Sequence, residues 1–128
     1  MTRVAVFGTG SWGTAFAAVL ADAGSQVRMW GRRAELVEEI NRSHVNSGYL
    51  PDLRLPESIW ATTDPREAAE GVDVVVLAVP SQTLRLNLCQ LADFLPHQGA
   101  VVSLMKGVEL GTTKRMSEVI AEVGGVAP

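Results

Sequence analysis

The chain has 128 residues, a formal net charge of −3 and one cysteine, Cys89. That length suits one domain, able to bury roughly two-thirds of its unfolded surface, and 47% hydrophobic with 20% charged residues excludes a disordered chain. The acidic balance excludes a global basic field for nucleic acid or anionic lipid, and a lone cysteine excludes an internal disulfide and suits a reducing compartment.

Met1-Thr2-Arg3 leads straight into a strand, with no signal-peptide pattern. No apolar run approaches the about 20 residues of a membrane span. The expectation is a cytoplasmic protein with no nucleic-acid partner and no membrane insertion.

Arg3–Phe7 reads as the first strand and Thr14–Ala23 as the first helix, with Phe16, Val19, Leu20 and Ala23 on one apolar face. Between them Gly8, Gly10 and Gly13 fall as G-x-G-x-x-G, the spacing by which a backbone approaches a pyrophosphate. Gly8 allows the tight turn, Gly10 carries no Cβ to hold phosphates away, and Gly13 lets the helix pack close to the strand. Free N–H groups at that helix start face the anion. The plainer alternative is a structural turn.

Gln26–Trp30 is the second strand, and a helix from Ala34 to Asn41 turns Leu36, Val37 and Ile40 inward. Ser43–Ser58 has no sustained period and contains Gly48, Pro51 and Pro56. A loop this long is either functional or a wandering surface connection. Ile59–Thr62 is a short third strand, followed by a helix start with Asp64 as N-cap, Pro65 at its first position and Glu67 two residues on. Asp73–Val79 is a continuous apolar strand, as expected where helices cover both sheet faces. Pro80 stops it, and Ser81 is placed to cap the next helix, whose Leu84, Leu88, Leu91 and Leu95 form one stripe. After a turn at Pro96 and Gly99 come a fifth strand, Ala100–Leu104, and the loop Met105-Lys106-Gly107. A last helix, Thr113–Val123, buries Met116, Val119, Ile120 and Val123.

This alternation predicts an α/β, Rossmann-type doubly wound, mostly parallel sheet of order 3-2-1-4-5. Ligands in such sheets lie beyond the carboxyl ends of the strands, at the switch point between strands one and four. Those ends carry Gly8–Gly13, Gly31–Arg33, Pro80–Gln82 and Met105–Gly107.

An NAD-specific site places an acid at the end of strand two. Here the chain reads Trp30-Gly31-Arg32-Arg33. Two guanidiniums suit a 2′-phosphate, so NADPH is preferred and NADH is not excluded. The alternative is a pair of solvated charges. His44 and His97 lie on separate loops with no metal-ligand spacing and read as solvated. Cys89 reads as a small buried side chain. No nucleophile motif is present.

Gly8-Thr9-Gly10-Ser11-Trp12-Gly13-Thr14-Ala15 resembles the opening of bacterial NAD(P)-dependent glycerol-3-phosphate dehydrogenase. Asn46-Ser47-Gly48-Tyr49-Leu50-Pro51 resembles that family's asparagine-to-Tyr-Leu-Pro loop. Val79-Pro80-Ser81-Gln82 resembles its strand-four exit, and Lys106-Gly107 followed by Glu109 its lysine-glycine segment. The resemblance implies that Ser11 and Trp12 contact the cofactor, Arg32 and Arg33 its adenosine end, and Tyr49 approaches from the long loop. Lys106 would sit near the nicotinamide and the substrate phosphate. Met105 departs from the small hydroxyl residue expected there.

The resemblance further implies reduction of dihydroxyacetone phosphate to sn-glycerol 3-phosphate for phospholipid synthesis. It makes residues 1–128 the NAD(P)-binding domain of a longer two-domain enzyme, whose C-terminal helical domain and catalytic lysine are absent from this chain. No catalytic residue is assigned here, and a homodimer is left open for the full-length enzyme. The alternatives are a ketopantoate or 6-phosphogluconate type of dehydrogenase, or a non-catalytic nucleotide-sensing module.

Overall fold

Alternation along the first strand decides the architecture. β1 (Arg3–Phe7) buries Val4 and Val6 in one apolar cluster and Ala5 and Phe7 in another, so both of its faces need cover. The computed structural model, which describes residues 2–95 and 99–125, supplies that cover with helices on both sides of one sheet. The other strands are β2 (Gln26–Trp30), β3 (Trp60–Thr62), β4 (Val74–Leu77) and β5 (Ala100–Ser103). They join in the order β3-β2-β1-β4-β5, as the alternation predicted, and every pairing is parallel. Pro96 and His97 lie outside the described residues.

One face carries α1 (Ser11–Asp22) and α2 (Ala34–Ser43). The other carries α3 (Pro65–Ala69), α4 (Leu84–Leu91) and α5 (Met116–Gly124). The leucine stripe is realised in full: Leu84, Leu88, Leu91 and Leu95 are buried with Val75, Leu77, Val119 and Ile120. Each such side chain contributes about 1.5–3 kcal/mol by leaving water. Asp64 caps α3 as expected, its Oδ1 accepting the Arg66 amide at 2.9 Å with Pro65 in the first turn.

The structure corrects four expectations. α1 starts at Ser11 and buries Gly13, Thr14, Ala17 and Ala18, whereas Val19 is 62% exposed. The helix lies so near β1 that only small side chains fit between them, and Phe16 and Leu20 are displaced to the flank of the core. Ser81 caps nothing, because Pro80 leads into a 3-10 turn over Ser81–Thr83 that is tied instead by Thr83 Oγ1 donating to the Pro80 carbonyl at 2.9 Å. The last helix begins at Met116, since Thr113 sits at φ 57° and Val108 pairs antiparallel with Arg115. Cys89 is exposed, off the face of α4 that buries Leu84, Leu88 and Leu91.

Candidate functional site

The glycine turn is dictated by close contacts. Gly8 has φ +127°, and a Cβ there would lie 2.5 Å from the Ala78 carbonyl oxygen at the end of β4. A Cβ on Gly13 would lie 2.5 Å from the carbonyl oxygen of Gly8. Gly10 differs: a Cβ would meet nothing within 4 Å. It is the N-cap of α1, makes no side-chain cap bond, and is followed by a first turn with no acidic residue. The α1 ladder begins where the Thr14 amide donates to the Gly10 carbonyl at 3.0 Å. The amides of Ser11, Trp12 and Gly13 therefore have no intrahelical acceptor, and the positive end of the helix stands over open space.

The long loop after α2 is a strap rather than a wandering connection. Leu55 is buried, and its amide donates to the His44 carbonyl at 2.7 Å. Ser47 donates through N and Oγ to Glu39 at 2.9 and 2.6 Å, which holds the Glu39 carboxyl below its usual range. Asn46, 1% exposed, donates through Nδ2 to the Thr9 carbonyl at 2.8 Å and to Thr14 Oγ1 at 2.9 Å. The Asn46 carbonyl then accepts the amides of Tyr49 and Leu50, setting a turn that brings Tyr49 to the glycine turn. His44 is not simply solvated: it ends α2 in the left-handed region, and its Nδ1 is buried without a partner among the described residues.

A cavity of about 570 Å³ lies at the switch point between β1 and β4. Gly8, Gly10, Ser11 and Trp12 form one wall, Arg32 and Arg33 another, and Tyr49 a third. The sequence-derived residues thus converge, with two exceptions. Gly13 packs beneath the turn, and Lys106 stands exposed on the loop after β5, away from the lining.

The two arginines are differently held. Arg33 occupies the N-cap position of α2 and pairs with Glu35 at 3.0 Å, which raises the guanidinium above its ordinary value. Arg32 donates through Nη2 to Oδ1 of Asn87 on α4. Asn87, which lines the cavity, is a residue that the sequence reading passed over. The available signal was a polar residue within the leucine stripe, where an unpaired amide is costly. Gln82 grips the chain beyond Lys106 at both ends of its amide, with Nε2 donating to the Val108 carbonyl and Oε1 accepting the Leu110 amide, both at 2.9 Å.

Behind that segment Arg85 pairs with Glu109 at 3.0 Å and with Glu122 at 2.6 Å, and Lys114 pairs with Glu122 at 2.8 Å. Arg85 is raised by Glu109 first and Glu122 second, while Glu109 is lowered by Arg85 and then by the Thr112 hydroxyl. Among the described residues no His, Cys, Asp and Glu group could hold a metal ion, and no helix is long and apolar enough to cross a membrane.

A glycine turn under a free helix N-terminus, at the switch point of a parallel sheet and beside two guanidiniums, defines a dinucleotide-binding domain of the Rossmann type. The chain matches the family model described as NAD-dependent glycerol-3-phosphate dehydrogenase N-terminus over residues 3–128, and it belongs to that family. It is 60% identical over 124 residues to a glycerol-3-phosphate dehydrogenase (NAD(P)+) of Streptomyces griseus, covering 97% of this chain and 37% of that protein. A Corynebacterium aurimucosum protein of the same name is 56% identical, with 99% of this chain and 38% of that protein covered. Among solved structures, the glycerol-3-phosphate dehydrogenase of Coxiella burnetii superposes with a TM-score of 0.88 at 32% identity, over 97% of this chain and 38% of that one. The Saccharomyces cerevisiae enzyme gives 0.85 at 31% identity, over 98% of this chain and 40% of that one. The chain thus spans little more than a third of the length of the relatives it matches.

Proposed function

We propose that this chain is the cofactor-binding part of an enzyme that interconverts dihydroxyacetone phosphate and sn-glycerol 3-phosphate, with NADPH preferred over NADH. The observation that carries the reading is the space at Gly10, where the absent Cβ leaves the first amides of α1 open to a cavity with a basic rim. The residues present fit the nucleotide: the glycine turn suits the pyrophosphate, Arg32 and Arg33 the adenosine end, and Ser11, Trp12 and Tyr49 the rim between. When bound, the nicotinamide supplies the hydride for the substrate carbonyl carbon.

This chain's own work is binding and orientation. The α1 amides hold the diphosphate without desolvating a side-chain charge. Trp12, 71% exposed, and Tyr49, 45% exposed, present large apolar surface that a bound nucleotide would cover. Lys106, just before the Val108–Leu110 segment that Gln82 grips, would neutralise the substrate phosphate or the developing oxyanion. The group that moves the substrate proton is assigned to the part of the relatives that this chain does not span. For the full-length enzyme, a homodimer acting in the cytoplasm completes the reading.

A chimaera tests it. This chain is joined in frame to the remaining part of the 60%-identical Streptomyces griseus relative, and NADPH oxidation is followed with dihydroxyacetone phosphate. Turnover that collapses on Gly10→Ala supports the proposal. A folded chimaera that binds nucleotide but never turns over would favour a sensing module instead.

A further inference from the structure

We infer that Asn87 is a positioning residue for Arg32 and thereby sets the preference for a nucleotide carrying a 2′-phosphate; the inference rests on the proposed role of this cavity. Asn87 is 3% exposed and sits on α4 between Leu84 and Leu88, where an apolar side chain would ordinarily pack. Burying an amide there is unfavourable unless it is bonded. It is bonded on both sides. Its Nδ2 donates to Thr83 Oγ1 at 3.2 Å, and that hydroxyl donates onward to the Pro80 carbonyl at 2.9 Å. Its Oδ1 accepts from Arg32 Nη2.

The relay fixes which end of the amide faces Arg32. Because Thr83 spends its one proton on Pro80, its oxygen is left to accept, so Asn87 must present NH₂ to Thr83 and oxygen to the guanidinium. Arg32 follows β2, whereas Asn87 belongs to the helix after β4, and β1 runs between those strands. The bond therefore reaches across the carboxyl end of β1, and both side chains line the cavity. A guanidinium has five N–H donors, and one bond to Asn87 leaves the rest for a phosphate. Arg33 is engaged chiefly with Glu35, and both of those side chains are largely in solvent. Arg32 is the arginine held in place, and holding a long side chain in its binding geometry removes an ordering cost from the complex.

The test is calorimetric titration of the protein with NADPH and NADH, for the wild type, Arg32→Ala, Asn87→Leu, Asn87→Asp and the double variant Arg32→Ala/Asn87→Leu. Asn87→Leu should weaken NADPH about three- to tenfold more than it weakens NADH. Asn87→Asp should weaken NADPH further, because a carboxylate neutralises Arg32 and repels the 2′-phosphate; being isosteric, it also covers the case in which the leucine variant does not fold. The double variant should bind both nucleotides as Arg32→Ala alone does, since Asn87 acts only through Arg32. If Arg32→Ala lowers the NADPH-to-NADH ratio while both Asn87 variants keep it at the wild-type value, positioning by Asn87 is overturned and the reading of Arg32 stands. If Arg32→Ala leaves the ratio unchanged, the arginine reading fails and Asn87 with it.

Discussion

Asn46 Nδ2 donates to the Thr9 carbonyl at 2.8 Å, which ties the long strap after α2 to the peptide that leads into Gly10. That peptide is trans, so gripping its carbonyl leaves the Gly10 N–H on the side away from Asn46. One side chain thereby anchors the strap and sets the orientation of a backbone donor in the glycine turn. Replacing Asn46 by Ala strips buried partners from Thr9 and Thr14 and should cost about 1–3 kcal/mol, read as a lowered Tm. NADPH affinity should fall as well. An unchanged Tm would show that the strap is held elsewhere.

The three glycines of the turn separate stability from binding. Ala at Gly8 meets both an unfavourable φ and the Ala78 carbonyl, and Ala at Gly13 meets the Gly8 carbonyl. Each should destabilise by about 1–3 kcal/mol or more. Gly10→Ala meets nothing within 4 Å and should fold within about 0.5 kcal/mol of the wild type. Thermal unfolding of the three variants checks this order.

The fold was legible because its signals were local. The fingerprint at Gly8–Gly13, the Asp64-Pro65 start, the Val74–Leu77 run and the leucine stripe are each short, continuous stretches of sequence, and the parallel order follows from the alternation of strands and helices. The face of α1 was misread because periodicity ranks bulk, whereas approach to β1 selected Gly13, Ala17 and Ala18. Most of the cavity wall was legible for the same local reason. Asn46, Gln82 and Asn87 act at sequence separations of 37, 26 and 55. Nothing in their neighbourhoods announces those partners. Lys106 was readable as a motif, yet it stands outside the cavity lining.

Acid should loosen the segment behind Lys106 before the glycine turn. Arg85 and Thr112 hold the Glu109 carboxyl below its ordinary range, and Lys114 and Arg85 do the same for Glu122. A carboxylate lowered in the folded state stabilises fully above its unfolded value of about 4.3, and that stabilisation is lost as pH falls through the lower folded value. Glu109→Gln should therefore have a lower Tm than the wild type at pH 7 and a flatter fall between about pH 5 and 3. Parallel curves would remove the ion network from the account.

Cys89 is the protein's single thiol and is exposed on α4. A thiol reagent should modify the native protein stoichiometrically without prior unfolding. Cys89→Ser should leave the stability within about 0.5 kcal/mol of the wild type, as expected of a surface substitution, and is read as an unshifted Tm.

The central claim is that the cavity at the β1–β4 switch point takes a dinucleotide on the open amides of α1. Titration of the protein with NADPH, wild type beside Gly10→Ala, tests it most directly. The account predicts saturable single-site binding that Gly10→Ala weakens severely while its Tm stays with the wild type. Equal binding by both proteins, or none by the folded wild type, would contradict it.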